Sequence, residues 1–184
     1  VDAIWPDRPA FPCSRAETVP ETYCGKSTAE KMAEVRKKMR EEKVSAFFLS
    51  RLDDLMWLFN LRGDDVRYNP VLMSYGFITE TDACIFLQAG ALQRETLDSM
   101  RRAGVGIRDY FSVGAFLQEY FLSGQRAGGT VLYDCEQVNY AMFRIFRAYG
   151  NCREAANPTE LLKAVKNETE LSYIRSIYLK DSVA

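Results

Sequence analysis

Residues 53–79 constrain the fold more than any other stretch. They run from Asp53-Asp54 through the apolar Leu55-Met56-Trp57-Leu58-Phe59 to a break at Gly63. Then comes the charged run Asp64-Asp65-Val66-Arg67-Tyr68-Asn69-Pro70, and after it an apolar stretch over 71–79. A short helix that is apolar along its length has no solvent face, so it must be buried nearly all round. Residues 71–79 and 83–87 read as strands, with only Glu80-Thr81-Asp82 between them. That link is too short for a parallel crossover, so the pair is an antiparallel hairpin.

Elsewhere strands alternate with helices. Ser27-Thr28-Ala29-Glu30 is a capping box. It opens a helix to about residue 43 with Met32, Val35 and Met39 inward. Residues 46–50 read as a buried strand. Asp53 is placed to cap the apolar helix, and Gly63 to end that region. The pattern predicts a helix over 91–103 that offers Leu92, Leu97 and Met100 to the core, and a strand over 106–109. A second helix spans 113–122, with Phe116, Leu117, Tyr120 and Phe121 partly buried. A turn at 124–129, a strand over 130–134 and a helix over 140–149, stopped at Gly150, come next. Asn157-Pro158-Thr159-Glu160 and Asn167-Glu168-Thr169-Glu170 are two further helix starts. The second presents Leu171, Ile174, Ile177 and Tyr178 on one face. Alternation with one obligatory antiparallel pair gives an α/β fold, a mixed β-sheet flanked by helices on both sides. Residues 1–26 hold four of the chain's six prolines. That density reads as an extended linker, free of stable helix, packed on a neighbour and anchored by Ile4 and Trp5.

The chain contains no histidine. Neither a Ser-His-Asp nor a Cys-His system can be built from it, nor a histidine-containing zinc site. Its five cysteines lack C-x-x-C spacing, which excludes a zinc ribbon or thioredoxin motif. Cys84 and Cys135 lie in apolar runs and read as small core residues, and reduced thiols suit a cytoplasmic protein. The sequon at Asn167 is read as chance. Basic and acidic residues balance at 24 and 25. The basic run at 36–40 leads into Glu41-Glu42, a solvated helix face. Nucleic acid and membrane partners are therefore not expected. No phosphate loop is present, and Gly104-Val105-Gly106 precedes a strand, the wrong context for a dinucleotide. Asp53-Asp54 fits the helix dipole better than a metal.

The loop from Arg62 to Pro70 is the remaining candidate. Arg62 can pair with Asp64 or Asp65, and Asn69 can set the turn before Pro70. Alternatively Arg62, Asp64, Asp65, Arg67, Tyr68 and Asn69, with Tyr75 beyond, line a cleft against another domain.

Together with Ile4-Trp5-Pro6-Asp7-Arg8-Pro9, Tyr23-x-Gly25-x-Ser27 and Pro158–Glu170, this segment resembles the middle domain of three-domain Xaa-Pro aminopeptidases (aminopeptidase P). Those enzymes are creatinase-like metallopeptidases. The resemblance covers nearly the whole chain in order. It implies a creatinase N-terminal-like, ribonuclease H-like αβα domain. The expected divisions are a linker at 1–26, the middle domain at 27–156, and at 157–184 a connector with the first helix of a catalytic domain. The chain's ends read as cuts within a longer protein. The family removes an N-terminal residue that precedes proline, using two divalent metals, usually manganese. The ligands are two Asp, one His and two Glu, none of which maps onto this chain. The resemblance implies no catalytic or metal-binding residue here, a proline-containing peptide as the enzyme's substrate, the other domains of the enzyme as partners, and a homodimer. Ile4, Trp5, Leu171, Ile174, Ile177 and Tyr178 become interdomain surface. The alternative is a peptidase-like binding module without activity, as in the large subunit of a histone chaperone.

Overall fold

A computed structural model of the chain describes residues 4–122, 129–149 and 151–183. The turn expected at 124–129, apart from Gly129, and the stop expected at Gly150 lie outside the described residues. The first half contains β1 (Glu17–Thr18), α1 (Glu21–Cys24), α2 (Thr28–Glu41), β2 (Ala46–Leu49), α3 (Leu52–Phe59), β3 (Leu61–Arg62), β4 (Tyr75–Thr79) and β5 (Ala83–Leu87). After it come α4 (Arg94–Arg102), β6 (Val105–Asp109), α5 (Val113–Leu122), β7 (Val131–Tyr133), α6 (Tyr140–Tyr149), β8 (Cys152–Glu154), α7 (Pro158–Ala164) and α8 (Glu168–Asp181).

Six strands form one sheet in the order β6-β5-β4-β2-β7-β8. The expected hairpin is there: β4 is antiparallel to β5, and also to β2. The pairs β2–β7, β5–β6 and β7–β8 are parallel. The sheet is therefore mixed, as the sequence requires. Its two faces follow strand alternation. Phe47, Leu49, Ile78, Ile85 and Leu132 pack with Met32, Val35 and Met39 of α2, the apolar α3 and Met100 of α4. Phe48, Phe77, Phe86 and Tyr133 pack on the other side with Leu117 of α5 and Met142 and Phe146 of α6. Each fully buried aliphatic or aromatic side chain contributes roughly 1.5–3 kcal/mol.

Several boundaries move, each for a local reason. Helix α3 has Arg51 at its N-cap with no side-chain cap, and Asp53 falls within the first turn. The helix ends at Asn60, which takes the left-handed conformation (φ 52°), before Gly63 is reached. Strand β4 begins only at Tyr75, because Val71 uses its carbonyl to accept from the Asp65 amide at 3.0 Å. Ala91 gives its carbonyl to the Ala16 amide at 2.8 Å, and α4 starts at Arg94. The N-terminal segment packs on this domain itself: Ala16 is buried, and β1 pairs with β3. The prolines do not exclude helix there, since Pro20 sits at the N-cap of one-turn α1, where no amide donor is needed. Cys84 is buried, but Cys135 is exposed. Strand β7 stops at Tyr133, and Asp134 caps a turn by accepting from the Glu136 amide at 3.0 Å. On α2, Lys38 pairs with Glu41, whereas Arg36 and Arg40 reach across to Thr79 and Glu80 of the hairpin.

Candidate domain-junction cleft

The loop after β3 is a small hairpin of its own. The Asn69 amide donates to the Val66 carbonyl at 2.9 Å, and Tyr68 takes φ 63°. Asp65 pins it. One carboxylate oxygen accepts from the Ser14 amide and the other from the Met73 amide, both at 2.7 Å. The Asp64 amide donates to Ser14 Oγ at 2.7 Å. Asp65 is thereby committed to backbone, and the expected Arg62 pairing with Asp64 or Asp65 does not form. Arg62 Nη1 donates instead to the Leu61 carbonyl at 2.7 Å. Burial pushes the guanidinium below its usual range, an effect the nearby Cys24 sulfur opposes. Arg67 stacks 4.9 Å from the centre of the Tyr68 ring, which is 89 % exposed.

Tyr75 is not part of this group. It lies on the opposite side of the sheet, stacked between Phe48 and Tyr110 at 5.6 and 5.1 Å. Its hydroxyl accepts from Asn139 Nδ2 at 2.7 Å. Strand alternation explains the separation, because Tyr75 follows the parity of Phe77 and not that of Ile78.

Arg62 and Asn69 line a cleft of about 450 Å³, floored by Met56 and Trp57 and closed on the far side by Lys163, Lys166, Glu170 and Tyr173. Both also line a second hollow of about 580 Å³ with Ser14, Asp64 and Tyr68. The loop thus forms a ridge between two open surfaces.

The far wall is held by a buried polar hub. Asp54 is fully buried in α3, and its Oδ2 accepts from Asn157 Nδ2 at 2.6 Å and Thr159 Oγ1 at 2.9 Å. Lys163 of α7 forms ion pairs with both Asp53 and Asp54. Arg51 adds contacts to Asp53 and Glu160 at 3.0 and 3.1 Å. Burial works to raise the Asp53 carboxyl, but the Lys163 ammonium and Arg51 outweigh it and hold the group below its usual range. A buried charge without such partners would be costly, so the hub fixes α7 on α3. Lys31 is buried as well. Its ammonium donates to the Trp57 carbonyl at 2.9 Å and to Asn60 Oδ1 at 2.6 Å, 4.8 Å from the Trp57 ring centre. Burial lowers its pKa. Spacing places Lys31 on the buried stripe of Thr28, Met32, Val35 and Met39, but it carries no sign of the long-range partners of either group.

Helix α8 closes the cleft through two sequence motifs that meet in space. Gly25 adopts φ 68°, and a Cβ there would lie 2.4 Å from Asn167 Oδ1. Asn167 Nδ2 donates to the Cys24 carbonyl at 2.9 Å, and Tyr23 packs on Tyr173 at 5.0 Å. Asn167 also caps α8 in a complete capping box with Glu170. Beyond this seam α8 buries no residue: Leu171 and Ile174 are partly covered, while Ile177 and Tyr178 are exposed. Ile4 and Trp5 are exposed too.

Among the described residues no group of three or more His, Cys, Asp or Glu side chains is placed to hold a metal. The adjacent carboxylates Asp53 and Asp54 are engaged by Lys163. These residues do not fit a two-metal centre. No helix among the described residues is long and apolar enough to cross a membrane.

Residues 7–170 match the creatinase/prolidase N-terminal domain family. A Penicillium rubens protein named Probable Xaa-Pro aminopeptidase P is 36 % identical over 187 residues, an alignment covering 100 % of this chain and 30 % of that protein. The crystal structure of an X-prolyl aminopeptidase from Caenorhabditis elegans superposes with a TM-score of 0.92 at 27 % identity, covering 98 % of this chain and 29 % of that one. It is described as a cytosolic enzyme with a di-nuclear active site. The Xaa-Pro aminopeptidase of Streptococcus thermophilus shares the fold alone, with a TM-score of 0.52 at 15 % identity over 74 % of this chain and 98 % of that one. The present chain spans about 30 % of the length of the Penicillium relative.

Proposed function

The chain belongs to the creatinase/prolidase N-terminal domain family, and from that premise we propose that it is the non-catalytic middle domain of a metal-dependent Xaa-Pro aminopeptidase. The observation that carries this reading is a likeness along the whole chain to enzymes more than three times its length, joined to a domain whose paired carboxylates are consumed by a structural lysine. On this reading two divalent metals, manganese in the family's usual form, are held by polypeptide outside this chain. The substrate is a peptide with proline in second position, and the enzyme is a cytoplasmic homodimer. Residues 1–26 link to a preceding domain, residues 27–156 form the domain proper, and residues 157–184 lead into the catalytic domain.

The domain's work is positional. The hub of Asp53, Asp54 and Lys163 fixes the direction in which α7 and α8 leave, and so the orientation of the catalytic domain. The ridge of Asp64, Tyr68 and Asn69, braced by Asp65 and flanked by Arg67, walls the substrate cleft; Arg62, on the side of the ridge towards α8, faces a neighbouring domain, and Tyr75 contributes from the core by holding the sheet. Ile4, Trp5, Leu171, Ile174, Ile177 and Tyr178 face neighbouring domains. The test is Tyr68→Ala in the full-length enzyme. A several-fold rise in KM for an Xaa-Pro peptide, with Tm unchanged, is the expected result. Unchanged kinetics and unchanged Tm would remove the wall role.

A further inference from the structure

The cleft between α3, β3 and α8 holds a cation that the described residues do not neutralise. Arg62 is half-buried, its hydrogen bond goes to a neighbouring carbonyl, and among the described residues no carboxylate forms an ion pair with it. The cleft's other charges are engaged locally. Lys163 is held by Asp53 and Asp54, Glu170 accepts from the Asn167 amide, and Lys166, which donates to the Lys163 carbonyl, is exposed to water. A guanidinium withdrawn from water without an acceptor carboxylate is costly. Its planar fork is matched by a carboxylate in two parallel hydrogen bonds. The cleft also gives onto α8, which exposes Ile177, Tyr178 and Leu179. The Penicillium relative has some 70 % of its length outside the matched region, since the match covers 30 % of it.

We propose that this cleft is an interdomain socket: an Asp or Glu on an apolar surface of the polypeptide outside residues 1–184 enters it and forks onto Arg62. Trp57 and Tyr173 flank the entering group, and the apolar face of α8 continues the contact. The proposal rests on the reading of this chain as one domain of a longer aminopeptidase.

Carbodiimide coupling of the full-length Arg62→Lys variant tests it. The reagent activates a carboxylate; an amine in contact with it displaces the urea, and an amide bond remains. Peptide mapping by mass spectrometry should find a link from position 62 to an Asp or Glu outside residues 1–184, absent from Arg62→Met. A link to Asp64, Asp65 or Glu170 alone overturns the socket. So does a link found only to the C-terminus of an added Xaa-Pro peptide, which would make the site a ligand site. Because lysine reaches less far than arginine, hydrogen exchange is measured as well. Arg62→Met should speed exchange across α8 in the full-length protein, and no link together with unchanged exchange overturns the proposal. Turnover of the peptide by the unmodified protein is measured in parallel. Turnover with neither the link nor a change in exchange overturns the socket alone; the link without turnover keeps the socket and overturns the enzyme reading.

Discussion

Asp54 is a fully buried carboxylate in the first turn of an apolar helix, and its partners Asn157, Thr159 and Lys163 come from more than a hundred residues further along the chain. Removing it would leave the Lys163 ammonium with Asp53 alone and strand two polar side chains. Asp54→Ala should therefore cost about 3–5 kcal/mol in unfolding free energy, measured by denaturant titration. A loss below about 1 kcal/mol would show that the hub does not hold α7. Gly25 is decisive for a different reason. Its left-handed backbone, and Asn167 Oδ1 lying against the place a Cβ would take, leave no room for a methyl group. Gly25→Ala should destabilise by about 1–3 kcal/mol, and an unchanged Tm would contradict the seam between α1 and α8. Neither role could be read from local sequence. An aspartate at a helix start has an adequate local explanation in the dipole, and its long-range partners are invisible to spacing. The same limit hid Lys31, whose neutral partners are carbonyl and amide oxygens of α3 and its cap.

At the scale of elements, the chain announces a helix start well where a capping box opens it, because a cap is a contact within four residues. Ser27 with Glu30 and Asn167 with Glu170 form the capping boxes that their spacing predicts. Ends and strand starts were less legible. Asn60 outcompetes Gly63 as the stop of α3, since its side chain is held by Lys31 and by the Lys26 carbonyl at 2.9 Å. The docking of α7 on α3 carries a pH signature. Asp53 has a lowered carboxyl pKa in the fold, so it binds fewer protons than in the unfolded chain. Its contribution is present above about pH 4, the unfolded carboxylate value, and is lost as pH falls through the lower folded value. Tm measured across that acidic window should fall less steeply in Asp53→Asn than in the unmodified chain. Parallel Tm curves would mean that Asp53 is not held by Lys163.

For the whole molecule, the three-residue link between β4 and β5 did most to reveal the architecture. It forced one antiparallel pair into an otherwise alternating chain, and the mixed sheet with helices on both faces resulted. The cleft was legible only in part. The sequence singled out the loop that carries Arg62 and Asn69, but it grouped Tyr75 with them, and strand parity sends Tyr75 to the other face. The far wall of Lys163, Lys166, Glu170 and Tyr173 comes from α7, α8 and the turn joining them, and that assembly depends on the Gly25–Asn167 contact. The central claim is that this domain positions the chemistry without performing it. The measurement that tests it most directly is hydrolysis of an Xaa-Pro peptide with added manganese, run side by side on this chain and on the full-length protein. The account expects turnover by the full-length protein and none by residues 1–184; turnover by residues 1–184 alone would contradict it.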